Sequence, residues 1–309
     1  MTLDNIEKIT KSCGTQLMNV NLTGGEPFLR PDIYEITKAY ILNAKVNSVF
    51  ITTHGGFEEK IIKFAERFKK EFPDKILIFS FSLDGFEESH NKIRKVDNLY
   101  QKTLGTYHKL KNLSPNILVN ISLTVSEFNY FEIRDFYTHL KIKENIDTIA
   151  VTMARDEGVY KIKNELRPQI LEEYKKLTHD IITDIKKDDA GYSVGNYLGR
   201  MINTKNKIMY DLVADTYEND KFILPCQAGK VFGVIYGDGL VYPCEILNKP
   251  MGNLFDFDFD FMKLWRSGVA KDLTNWIRES KCHCTFECAW SYNILLNKKY
   301  YAKFAKSLL

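Results

Sequence analysis

Between Leu17 and Val151, short apolar runs rich in β-branched residues alternate with longer stretches in which apolar residues recur at helical spacing, the pattern of parallel β/α units. Strands are predicted over Leu17 to Leu22, Asn47 to Thr52, Lys75 to Ser82, Ile117 to Thr124 and Asp147 to Val151. Helices are predicted over Pro31 to Asn43, Phe57 to Phe72, Leu99 to Leu113 and Tyr130 to Lys141, and Thr2 to Cys13 also reads as helical. In the helix from Phe57, the residues Phe57, Ile61, Phe64, Ala65 and Phe68 share the face expected on the sheet, with Glu58, Glu59, Lys60 and Lys63 in water. Five strands are too few for a closed eight-stranded barrel, so the expected fold class is α/β with a partial (β/α) barrel of parallel strands.

From Asp156 to Glu218 the strand pattern stops; Arg167 to Lys187 and Asn196 to Leu212 read as helices of a connector. A smaller α+β unit follows, in which Val231 to Tyr236 and Leu240 to Tyr242 flank Gly237-Asp238-Gly239, a hairpin signal because glycine accepts the positive φ of such turns. Short helices are expected around Phe261 to Ser267 and Val269 to Glu279, then a cysteine loop and an aromatic tail helix. The expected division is thus 1–156, 157–218 and 219–309, without internal repeats.

The 309 residues are 44% hydrophobic and 27% charged, with a formal net charge of +3. No apolar run approaches the length of a membrane span, and the start Met1-Thr2-Leu3-Asp4-Asn5 has neither a basic nor an apolar leader region. A cytoplasmic, non-membrane protein is the expectation. The lysines are spread along amphipathic helices rather than gathered in a stripe, which gives nucleic-acid binding little support.

Cysteine placement changes the picture. Five of the six cysteines, Cys226, Cys244, Cys282, Cys284 and Cys288, lie near the C-terminus, and residues 14–225 contain none. In a reducing compartment such clusters read as metal or redox sites. The hairpin brings Cys226 and Cys244 together, and the other three come from one short loop, so four thiolates are at hand for a [4Fe-4S] cluster. A zinc site of four cysteines is an even alternative on these residues alone, and the spacing does not select between Cys282 and Cys284. Cys13 reads as a small buried side chain. In the first half, Leu22-Thr23-Gly24-Gly25-Glu26-Pro27 follows a predicted strand, Thr52-Thr53-His54-Gly55 ends the next, and Ser82-Leu83-Asp84-Gly85 ends the third. Polar residues and glycines at successive strand ends mark the ligand-binding face of a β/α barrel.

Together these runs resemble the radical S-adenosylmethionine (SAM) superfamily, specifically its members with a C-terminal SPASM or twitch domain, over nearly the whole chain from Leu17 to Asn293. Gly24-Gly25-Glu26-Pro27 matches the family's motif for the methionine amino group. Thr53-His54-Gly55 resembles its Thr-Asn-Gly run with His54 in place of Asn, and Ser82-Leu83-Asp84-Gly85 its fourth-strand motif. Cys226 to Cys244, then Gly252-Asn253-Leu254 and Leu264-Trp265, resembles the opening of the SPASM/twitch pattern. The resemblance implies SAM held by Gly24, Gly25, Glu26, Thr53, Ser82 and Asp84, and an auxiliary [4Fe-4S] cluster held by Cys226, Cys244 and two of Cys282, Cys284 and Cys288. It further implies a second [4Fe-4S] cluster in the complete protein, an electron donor such as flavodoxin or ferredoxin, and a peptide or small-molecule substrate. The family's Cys-x3-Cys-x2-Cys loop is absent from these residues, so the expectation is a truncated reading of a longer enzyme, with a non-catalytic relative as the alternative. The catalytic residues are not identified by the motifs.

Other residues carry weaker signals. Phe255-Asp256-Phe257-Asp258-Phe259-Asp260-Phe261 alternates with period two and is expected to be a half-buried segment, with Asp260 capping the next helix. His283 is expected to orient its loop or face solvent; Trp290, Tyr292, Tyr300, Tyr301 and Phe304 are expected to pack. For Arg94, a partner in the cofactor carboxylate and a salt bridge within the protein are equal expectations.

Overall fold

The computed structural model describes residues 1–155, 162–187, 190–192 and 197–308. Helix α1 (Leu3–Cys13) leads into strand β1 (Asn19–Leu22), followed by α2 (Ile33–Asn43), β2 (Ser48–Thr53), α3 (Glu58–Glu71) and β3 (Ile76–Ser82). Next come α4 (Glu87–Arg94), α5 (Leu99–Leu110), β4 (Ile117–Val125), α6 (Ile133–Ile142) and β5 (Ile149–Met153). The strands hydrogen-bond in the order β1-β2-β3-β4-β5, and the first three pairs are parallel, with Leu22 opposite Ile51, Thr53 opposite Phe81 and Ser82 opposite Ser122. Each parallel step needs a helical crossover, so β1 to β4 point the same way and the loops after them collect along one edge. That edge receives the three motifs of the first half.

Burial explains the register. Ile51, Leu77, Phe79, Phe81, Ile121 and Leu123 are fully buried along the sheet, and Ile61, Phe64, Ala65 and Phe68 of α3 cover it as the spacing predicts. Phe57 differs: it precedes the helix and is half-buried, its ring 4.9 Å from Lys60 Nζ and 5.4 Å from the ring of His54. Edge-to-face contacts Phe28–Phe64 at 5.5 Å and Phe64–Phe79 at 6.1 Å join the loop after β1 to this core. Cys13 is buried as expected; burial, then the nearby Asp260 carboxylate, push its thiol up to about 12.

The later elements are α7 (Arg167–Lys186), α8 (Tyr197–Asn219), β6 (Val234–Ile235), β7 (Leu240–Tyr242), β8 (Gly252–Asn253), α9 (Phe261–Trp265), α10 (Gly268–Glu279), α11 (Glu287–Leu295) and α12 (Tyr301–Leu308). The short strands form a sheet in the order β6-β7-β8, and β6 and β7 pair antiparallel. Gly239, at φ +86°, closes the turn; a Cβ there would stand 2.7 Å from Asn253 Oδ1 and from a Phe255 ring carbon. The expected boundary at 156–157 and the expected helix start at Asn196 lie outside the described residues.

Two compact units result: 1–123 with 236–240 and 253–266, and 124–235 with 241–252 and 267–309. In the first, the Met1 ammonium donates to the Gly237 carbonyl at 2.7 Å, and Phe261 N–H donates to Ser12 Oγ at 2.8 Å. The period-two Phe/Asp run is not extended. Leu254–Phe257 form a 3-10 turn, and Asp258 and Phe259 take positive φ, which leaves Phe255 exposed. Asp260 does cap α9, accepting from Lys263 N–H at 2.9 Å. In the second unit, Tyr174 of α7 meets Tyr210 of α8 edge-to-face at 6.4 Å.

Candidate functional site

In the first unit, an open cleft of about 250 Å³ lies at the C-terminal ends of β1, β2 and β3, walled by Thr23, Gly24, Gly25, Glu26, Thr52, Thr53, His54, Ser82 and Arg94. Gly24 and Gly25 have no protein atom within 4 Å of where a Cβ would stand, so the space beside their backbone is open to a ligand.

Glu26 binds this edge together. Its Oε1 accepts from Phe28 N–H at 3.1 Å and from the Thr53 hydroxyl at 2.7 Å; its Oε2 accepts from His54 N–H at 2.9 Å. His54 Nδ1 accepts from Gly56 N–H at 2.9 Å, which leaves Nε2 protonated, 3.4 Å from the same carboxylate. The Glu26 side chain is only 6% exposed. Its carboxylate therefore ties the loop after β1 to the end of β2. Thr53 is buried and takes part through this bond, and it also accepts from Gly55 N–H at 3.1 Å. Ser82 lines the cleft. Asp84 is buried behind it, accepting from Arg94 Nε at 2.8 Å, with Nη2 at 2.5 Å. Arg94 thus makes the internal salt bridge and reaches the cleft wall as well.

A residue that sequence reasoning missed supports this wall. His90, on the unforeseen helix α4, is fully buried and accepts at Nδ1 from Asp84 N–H at 3.2 Å. Its signal was the charge order of Glu87-Glu88 before Lys92 and Arg94, which matches the helix dipole, rather than apolar spacing. Burial, then the Arg94 and His54 charges, hold its pKa down near 3. A histidine buried neutral stabilises the fold fully above its unfolded pKa, and protonation of the unfolded state removes that contribution as pH falls toward the folded value. Stability measured by urea unfolding is expected to fall between about pH 6.5 and 3 with a slope approaching about 1.4 kcal/mol per pH unit from this group. The slope should shrink in His90→Gln.

The second unit gathers thiols. Buried Cys244 sits in a small core with Ala228, Ile277, Phe286 and Ala289, and Cys226, Cys282 and Cys284 pack against that core. These four thiols lie within electrostatic reach of one another. Burial pushes Cys226 up, Cys282 up to about 11 and Cys284 up to about 12, with the neighbouring cysteines adding to each. The Ala228 backbone, the Asn293 side chain and the Gln227 backbone pull Cys226 back down, and the Phe286 backbone does so for Cys284. Leu247 N–H donates to Cys244 Sγ at 3.3 Å. Such N–H donors around sulfur stabilise metal-bound thiolate, the form that a metal requires.

The loop is clamped from behind. Trp290 Nε1–H donates to the Cys284 carbonyl at 2.8 Å, and Asn293 Oδ1 accepts from Gln227 N–H at 2.9 Å. Tyr292 stacks on Phe232 at 5.0 Å, and Tyr300 and Phe304 are buried, whereas Tyr301 is half exposed. His283 Nδ1 stands 2.8 Å from the Lys281 carbonyl and so orients the loop. Cys288 stands apart: it is exposed, and the charges that act on it are Glu245, Glu287, Arg155 and Lys205 rather than the other cysteines. Among the described residues, no three His, Cys, Asp or Glu side chains converge tightly enough for a single metal ion. A tetrahedral zinc site draws its sulfurs to about 2.3 Å from one centre, whereas an iron-sulfur cube holds them farther apart. Four cysteine thiols are a donor set that fits either group.

Comparison with known proteins agrees with this geometry. Residues 1–140 match the model of the Radical SAM superfamily. Over 179 residues it is 30% identical to the GTP 3',8-cyclase of Clostridium perfringens (strain SM101 / Type A), across 57% of this chain and 52% of that protein. Over 251 residues it is 23% identical to the AdoMet-dependent heme synthase of Methanosarcina barkeri, across 80% of this chain and 67% of that protein. The match thus spans about half the length of the cyclase. Among solved structures, native anSMEcpe with bound AdoMet and Kp18Cys peptide superposes with a TM-score of 0.60 at 16% identity, covering 99% of this chain and 87% of that one. Native anSMEcpe with bound AdoMet alone gives 0.59 at 17%, covering 99% and 86%. The shared fold therefore extends through the cysteine-bearing part. Among the described residues, no helix is long and apolar enough to cross a membrane.

Proposed function

We propose that the protein is a radical SAM oxidoreductase of the SPASM/twitch type that modifies a peptide or small molecule. The observation that carries this reading is the cleft at the strand ends, where Glu26 locks Thr53 and His54 beside two glycines with open space above them. In this reading the Gly24-Gly25-Glu26 backbone receives the methionine end of SAM, with Ser82 and Arg94 supplying polar contacts from the far wall. Asp84 and His90 act through Arg94 and the loop that holds it. The family's chemistry, when SAM and its reduced cluster are bound, is formation of a 5′-deoxyadenosyl radical that takes a hydrogen atom from substrate. What this chain's own residues do is bind and orient.

In the second unit, Cys226, Cys244, Cys282 and Cys284 would hold an auxiliary [4Fe-4S] cluster, with Asn293 and Trp290 fixing two of the ligand segments. In this reading residues 219–309 form the auxiliary domain, residues 157–218 the helical connector, and residues 1–156 carry the SAM site. The relatives' substrates, a nucleotide for the cyclase and a peptide beside anSMEcpe, leave both classes as proposals for this chain. A ferredoxin or flavodoxin is the electron donor consistent with such a cluster.

Anaerobic reconstitution tests the assignment. The protein is expected to turn brown and to hold about four iron and four sulfide per chain in the second unit. Colourless protein with one zinc per chain would replace the redox reading by a structural one.

A further inference from the structure

The fifth C-terminal cysteine is surrounded by groups that the proposed cluster does not use. Cys288 lies in the first turn of α11 with its surface exposed. The charges that act on it come from four segments of the second unit: Arg155, two residues beyond the end of β5; Lys205 of α8; Glu245, next to Cys244; and Glu287 of α11. Their pairing is uneven. Glu287 is turned inward, buried, with Oε1 accepting from Met153 N–H at 2.9 Å. Glu245 is more than a third exposed and lies 3.7 Å from Arg155 Nη2, beyond hydrogen-bond length.

The two cations are thus held in place and incompletely satisfied. The Arg155 guanidinium lies over the Phe286 ring at 4.6 Å, and its Nη1 is buried without a hydrogen-bond partner among the described residues. Half-buried Lys205 has the Ser291 hydroxyl at 3.3 Å from Nζ as its hydrogen-bond partner among the described residues. Ser291 Oγ in turn donates to the Glu287 carbonyl at 3.0 Å, so its oxygen is turned toward the lysine. Cations partly removed from water without a close carboxylate are costly unless an anion joins them. The first turn of α11 contributes the positive end of its dipole at the same place.

We propose that Arg155 and Lys205, held on Phe286 and Ser291 at the start of α11 beside exposed Cys288, form an oxyanion-binding site that receives a carboxylate or phosphate of the substrate. Calling the ligand substrate rests on the enzyme reading above; the anion site itself does not. Arg155 brings it to the C-terminal end of β5. It also assigns Cys288 a place outside the cluster.

Thiol protection tests this directly. Anaerobically reconstituted protein is treated with neutral methyl methanethiosulfonate, and modification of the Cys288 peptide is followed by mass spectrometry in chloride, inorganic phosphate or acetate at equal ionic strength. At an anion concentration about ten times its dissociation constant, phosphate or acetate is expected to slow the reaction about tenfold, as simple occupancy requires. Phosphate protection alone points to a nucleotide-like group; acetate protection alone points to a carboxylate. Lys205→Met and Arg155→Met should each abolish protection while retaining iron and the wild-type circular dichroism. Equal rates in all three salts, or protection unchanged in both variants, would overturn the site. Loss of cluster iron in Cys288→Ser would instead return Cys288 to the ligands and refute its role here; loss of SAM binding with protection intact would refute the enzyme reading alone.

Discussion

Replacing Cys226 or Cys244 by Ala is expected to reduce the iron of reconstituted protein from about four per chain to near zero, because in the proposed cluster each supplies a ligand from a segment with no other thiol. Cys226 packs against the small core and Cys244 is buried in it, so neither position can be served by a shifted neighbour. Cys284→Ala is expected to behave in the same way, since its sulfur sits within the group of four and its carbonyl is held by Trp290. Cys288→Ser should keep its iron. Iron and acid-labile sulfide analysis, with the visible absorption of the cluster, checks each variant. Full iron in both Cys226→Ala and Cys244→Ala would show that the ligand set is wrong.

Glu26→Ala is expected to cost about 2–4 kcal/mol of stability and to weaken SAM binding by more than about tenfold, since it strands the buried donors of Phe28 and His54 and removes the Thr53 partner. Glu26→Gln keeps the shape but has one oxygen where two accepted, so an intermediate loss is expected. Urea midpoints and calorimetric binding measure the two effects. A Glu26→Ala protein with wild-type stability would mean that the carboxylate does not hold β1 to β2.

The strands and most helices were legible because burial on a parallel sheet forces near-continuous apolar runs, as in Ile76–Ser82, and a one-sided apolar stripe, as in α3. Helix α4 was not legible: of its eight residues only His90 is buried, so it has no stripe to read. The Phe/Asp run misled because period two looks extended, whereas Asp258 and Phe259 adopt positive φ and the 3-10 turn takes the apolar residues. At the cleft the motif positions were visible, but the roles of Glu26 and Asp84 were not. Both carboxylates are spent on the protein itself, on Thr53, Phe28 and His54 in one case and on Arg94 in the other, and only the folded strand ends bring those donors within reach. The cysteine set shows the same limit. Spacing left Cys282, Cys284 and Cys288 equivalent, while the helical turn at Glu287 carries Cys288 away from the loop that holds the other two.

The central claim, that the strand-end cleft is a SAM site, is tested most directly by calorimetric titration of SAM into the 309-residue protein and its Gly25→Leu variant under anaerobic conditions. A side chain at Gly25 meets no protein atom within 4 Å at its Cβ, so the variant should keep the wild-type unfolding midpoint while filling the open space beside the backbone. One SAM is expected to bind per chain in the wild type and none in the folded variant. No binding by the wild type, or equal binding by both, would contradict it.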